Sequence, residues 1–180
     1  MATFEQWVQA NEKKLEECWK SKINFSAPNE HIGDIERLNR TIEDRFRVKY
    51  HMMPCKVIPR PMICHLTISI LNKRNIFPKR NGISKYYSPQ LIVNKSVVDF
   101  EKHLRFSFGT HGQASYYNKP KSNDDRARTL DIIYLCPSPS LQGGHDVMDL
   151  AKGVVVAHPK WTPCKMTDIV VKCVEKMAAN

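Results

Sequence analysis

The sequence predicts an α+β fold, a single domain whose small, mostly antiparallel central sheet is flanked by an N-terminal helix pair and a C-terminal helix. Three observations carry that expectation. Apolar residues recur every three or four positions through residues 1–50 and again near the C-terminus, Met62–Leu71 alternates between apolar and polar, and Thr129–Cys136 is rich in β-formers. With 180 residues, 42% of them apolar and 26% charged, the chain has enough for one core, which argues against wholesale disorder.

The first helix is predicted to begin at a capping box, Thr3 with Gln6, and to place Phe4, Trp7, Val8, Leu15, Cys18 and Trp19 on one face. Ser26-Ala27-Pro28-Asn29 breaks it, and Ile32, Ile35, Leu38, Ile42 and Phe46 continue a second helix at the same period. Pro54, Pro59 and Pro61 then exclude a helix interior. The alternation that follows sets Met62, Cys64, Leu66, Ile68 and Ile70 on one face of a strand, with His65, Thr67 and Ser69 on the other. Residues 72–89 form a polar, basic connection to a second strand at Gln90–Val93.

Ser96 with Asp99 caps a short helix carrying Val97, Phe100 and Leu104, and residues 109–128 read as loop. Thr129–Cys136 is a strand ended by Pro137. Asp146–Leu150 suits a short helix, and Gly153–Val156 fits either its continuation or another strand. Thr162-Pro163 has the form of an N-cap followed by proline at the first helical position. Met166, Ile169, Val170, Cys173, Val174 and Met177 complete the packed stripe of that last helix.

Charge divides the chain into three parts. Residues 1–50 and 123–180 are each neutral, whereas residues 51–122 hold twelve Lys and Arg against Asp99 and Glu101 alone. The formal charge of +10 therefore comes wholly from the middle, and residues 51–98 contain no carboxylate. A solvated surface without a partner normally mixes signs, so a stretch of one sign creates a field suited to a polyanion. The candidates are nucleic acid, an anionic membrane surface or an acidic protein.

Lys73, Arg74, Lys79, Arg80 and Lys85 lie in the connection after the first strand, followed at once by Tyr86 and Tyr87. A shorter version recurs at Tyr116, Tyr117, Lys119 and Lys121. Cations neutralise phosphates and tyrosine faces stack on unpaired bases, so these residues are expected to bind nucleic acid, single-stranded RNA above all, with weak sequence preference. The first alternative is a structural protein whose basic face meets anionic lipid or nucleoprotein and which associates with itself through the apolar helix faces of Trp7, Trp19, Phe46, Met166 and Met177. Shell-forming matrix proteins of viruses combine those affinities.

The second alternative is a phosphoesterase centred on His65-Leu66-Thr67, where His and Thr on one side of a strand make half of a two-histidine site. No second such pair occurs, nor any Gly-x-Ser-x-Gly, Walker or dinucleotide fingerprint, so no catalytic residue and no cofactor is assigned. His51, Cys55, Cys64 and His65 are metal-ligand types, but their spacing matches no common zinc finger, and Cys64 is expected in the core. The six cysteines form no CxxC pair and are read as reduced thiols. With no apolar run of membrane-span length and no leader pattern, the expected location is the cytoplasm or nucleus.

Overall fold

Proline is excluded from the interior of a helix but suits its first turn, where the missing N–H has no partner to lose. The middle of this chain uses that exception. In the computed structural model, which describes residues 33–79, 82–95, 97–115, 127–138 and 143–179, Pro59 stands at the N-cap and Pro61 in the first turn of a helix over Arg60–Ile76. This helix, α2, follows α1 (Gly33–His51) and replaces the strand expected at Met62–Leu71. Met62, Leu66, Ser69 and Ile70 are buried, the i, i+4, i+7, i+8 set of a helix, while Cys64 and Ile68 are exposed. The apparent alternation came from those two surface residues lying between buried ones.

The second expected strand is also helical. Ser88 caps α3 (Pro89–Asn94), its Oγ accepting from the Leu91 N–H at 3.2 Å with Pro89 in the first turn, and Lys95 closes it in the left-handed region at φ 52°. A further short helix, α4, spans Phe100–Leu104, and Asp99 Oδ1 accepts from the Glu101 N–H at its start. The predicted first helix, with Trp7 and Trp19, lies outside the described residues, as does Ser96. By internal contacts the chain forms two units, Met1–Arg40 and Thr41–Asn180, and everything below lies in the second.

The sheet lies in the C-terminal half. Its strands are β1 (His111–Ser115), β2 (Thr129–Pro137), β3 (His145–Asp149), β4 (Val155–His158) and β5 (Trp161–Pro163), in the order β4-β3-β2-β1-β5, every pair antiparallel. With helices before and after it, the fold is α+β. The strands differ from the sequence-based expectation in three places. Asp146–Leu150 is mostly strand because it pairs with β2, β1 occupies a region read as loop, and Thr162-Pro163 ends an edge strand. The last helix, α5, begins later, at Asp168 after Thr167, and runs to Ala178. An N-cap followed by proline is equally at home on a sheet edge, where the absent N–H faces away from the ladder.

Central strand β2 is buried on both faces, which is why Leu130-Asp-Ile-Ile-Tyr-Leu-Cys136 reads as nearly continuous apolar sequence. Ile133 and Leu135, with Met148 and Leu150, meet Met62, Leu66 and Ile70 of α2 and Val170 and Val174 of α5. Phe46, Met166 and Met177, read as self-association residues in one alternative, pack against this same core. On the opposite face Leu130, Ile132, Tyr134, Ala114 and Val147 are covered by Phe106 and Trp161, whose ring centroids are 4.4 Å apart.

Edge strand β5 sits close to Gly112 of β1. A Cβ there would overlap the Trp161 ring and stand 2.6 Å from the Thr162 carbonyl oxygen. Gly112→Ala is therefore expected to destabilise the protein by about 1–3 kcal/mol, the range for overpacking, measured by urea unfolding.

Candidate binding surface and the adjoining cleft

Beyond α2 the chain makes a tight, polar-bonded loop. The Gly82 N–H donates to the Lys79 carbonyl at 3.1 Å, and Ser84 Oγ accepts from the backbone N–H groups of both Tyr86 and Tyr87 at 3.1 and 3.0 Å. This serine turn aims side chains outward. Ile83 is 97% exposed and Tyr86 87%, and Phe77, Tyr87, Lys79 and Lys85 are exposed as well. Ile83 thus stands almost wholly in water on a segment held by its own hydrogen bonds, with Phe77, Tyr86 and Tyr87 exposed near it along the chain.

Of the residues expected to bind nucleic acid, Lys79, Lys85, Tyr86 and Tyr87 share this loop. Lys73 and Arg74 belong to the last turn of α2 and are half-buried. Burial, and secondarily the charge of Lys49, lowers the Lys73 ammonium below its ordinary pKa. Arg80, Tyr116, Tyr117, Lys119 and Lys121 lie outside the described residues. The loop connects two helices, not two strands.

Beside the loop, a cleft of about 940 Å³ runs between α2, α3, the start of α4 and the β2–β3 hairpin. His65, Cys136 and Asp146 line it together and approach one another closely. Cys136 Sγ is 3.6 Å from His65 Nδ1 and 3.8 Å from Asp146 Oδ2, and the ligand atoms of all three lie within 4.8 Å of one another.

A register shift builds this cluster. Tyr134 pairs with Val147, but Cys136, not Leu135, faces Asp146 across the ladder. Directly opposed residues share a face, and Asp146 lies two positions from Met148, whose side faces α2. The bulge thus turns Cys136 toward His65. Burial, followed by the charge of Asp146 and a hydrogen bond to it, pushes the Cys136 thiol up to about 12. Tyr134 is raised by burial and then by its Cys136 and Asp146 neighbours.

The phosphoesterase geometry does not form at His65 and Thr67. On a helix, residues two apart diverge by about 200°, and Thr67 Oγ1 donates to the Ile63 carbonyl at 3.3 Å instead of joining His65. The His51, Cys55, Cys64 and His65 set is likewise dispersed, with Cys55 in the core, His51 and Cys64 exposed, and His65 turned to Cys136. No family model matches this chain, and comparison with curated proteins and with solved structures gives no match. Among the described residues no helix is long and apolar enough to cross a membrane.

Cys136 and Asp146 escape a reading of the sequence for a definite reason. They are remote from His65 along the chain, and nothing in local spacing announces a bulge.

Proposed function

We propose that the protein docks peripherally on anionic membrane surfaces through Phe77, Lys79, Ile83, Lys85, Tyr86 and Tyr87, the exposed residues that follow α2, as a matrix-like structural protein does. The observation that supports this reading is Ile83, 97% exposed and flanked by Lys79, Lys85, Tyr86 and Tyr87 in a stretch without carboxylates. Each cation near an anionic bilayer contributes about 1 kcal/mol. Burying one isoleucine in the acyl boundary adds about 1.5–3 kcal/mol. Tyrosines suit the headgroup level, where an apolar ring and a polar hydroxyl are both satisfied.

Single-stranded RNA is the second reading, favoured by the exposure of Tyr86 and Tyr87, whose rings are able to stack on bases. It gives Ile83 no partner, since an aliphatic side chain neither stacks nor neutralises phosphate. That difference supplies the test. Ile83→Ser, which removes the apolar group without changing charge, is expected to lower partitioning onto phosphatidylserine vesicles by about tenfold or more, the equivalent of the lost apolar burial, and to leave RNA affinity nearly unchanged. Vesicle binding indifferent to Ile83→Ser overturns the docking mode. RNA binding in the absence of vesicle binding replaces it with the second reading.

A further inference from the structure

We propose that His65, Cys136 and Asp146 form a three-ligand site for a zinc ion, with its fourth position open to the cleft. The site is independent of the docking loop and of what that loop binds. Three different elements, α2, the bulged end of β2, and β3, deliver one donor each, and all three donors line the same cleft.

The spacing is that of ligands around a metal. Zinc holds sulfur at about 2.3 Å and nitrogen or oxygen at about 2.0 Å, so tetrahedral neighbours of a thiolate stand about 3.5 Å from it. Cys136 Sγ is 3.6 Å from His65 Nδ1 and 3.8 Å from Asp146 Oδ2, close to that edge length. Sulfur hydrogen bonds also fit these contacts, the thiol donating to Asp146 Oδ2 and His65 Nδ1 taking either role according to its tautomer, so the convergence of three donor types from three elements on one cleft carries the assignment together with the distances.

A Cys-His nucleophilic pair is the competing use of these residues. It requires an imidazole that takes the thiol proton, with a carboxylate behind the imidazole to orient it. Here Asp146 Oδ2 stands at the sulfur, and among the described residues it makes no ion pair with His65. A divalent cation bound by all three would hold the sulfur as thiolate and balance the carboxylate together. The donor set of thiolate, imidazole and one carboxylate matches a borderline-soft ion such as zinc, and hard cations prefer oxygen alone. An open fourth position accepts water or an oxygen or nitrogen donor entering from the cleft.

The test is a titration of the metal-free 180-residue protein with Co²⁺, a spectroscopic stand-in for zinc. One equivalent is expected to bind with a thiolate-to-cobalt charge-transfer band and tetrahedral d–d absorption, both bleached by Zn²⁺. Cys136→Ser should abolish the charge-transfer band, and His65→Asn and Asp146→Asn should each weaken binding by at least about tenfold. Cys64→Ser, beside His65 in sequence but exposed, should change neither. Zinc should also raise the melting temperature of the wild type, because the ion ties α2 to the hairpin. A wild-type titration without a thiolate band overturns the site, and so does a band that survives Cys136→Ser. Neither result depends on a variant that fails to fold, since the first uses the wild type alone and the second needs a variant folded well enough to bind cobalt.

Discussion

Leu66→Ala is expected to destabilise the protein by about 2–5 kcal/mol, whereas Ile68→Ala, two residues on, should cost no more than about 1 kcal/mol. Leu66 is 1% exposed and packs in the core with Met62, Ile70 and the sheet residues Ile133 and Leu135. Truncating it leaves a cavity in a region with little room to collapse. Ile68 is 43% exposed on the side of α2 that borders the cleft, so its removal leaves no internal void. In a strand the two side chains would share one face and cost alike. Urea unfolding of both variants separates the two conformations, and the larger loss is a sizeable share of the roughly 5–15 kcal/mol that holds a typical domain together.

The second large effect belongs to the cations. Replacing Lys79, Arg80 and Lys85 together by alanine should weaken association with phosphatidylserine vesicles by about two orders of magnitude, from about 1 kcal/mol per charge. Folding should be unaffected, because Lys79 and Lys85 are exposed and form no ion pair among the described residues. Lys73 is not part of that set. Half-buried at the cleft, it is expected to contribute to the potential of the cleft instead of to the loop's contact.

The α+β class was legible because the strongest signals were the longest. The apolar run of β2 and the stripe of α5 identify a doubly covered strand and an amphipathic helix whatever surrounds them. The elements whose conformation differs from expectation are short or ambiguous in period. Met62, Leu66 and Ile70 satisfy a period of two and a period near four equally, and only Ser69 buried against Cys64 and Ile68 exposed decides between them. Strands β1 and β5 carry Gly112 and Pro163 and pair only with each other and β2, so their conformation comes from neighbours and not from their own propensity.

The candidate surface was half legible. The cations and tyrosines of the loop stand out as a charge pattern, but Ile83 reads as one apolar residue in a polar stretch until its exposure is seen. The His65, Cys136 and Asp146 cluster was invisible for a different reason. It depends on a register shift and on α2 being a helix, both consequences of tertiary packing.

In the proposed docking mode, cation attraction and apolar insertion act together at one loop. Vesicle flotation of the wild type, with and without phosphatidylserine and across a salt series, tests it most directly. The predicted result is binding that requires phosphatidylserine, weakens as salt screens the charges, and retains an Ile83-dependent fraction once bound. No flotation with phosphatidylserine vesicles even at low salt would contradict it.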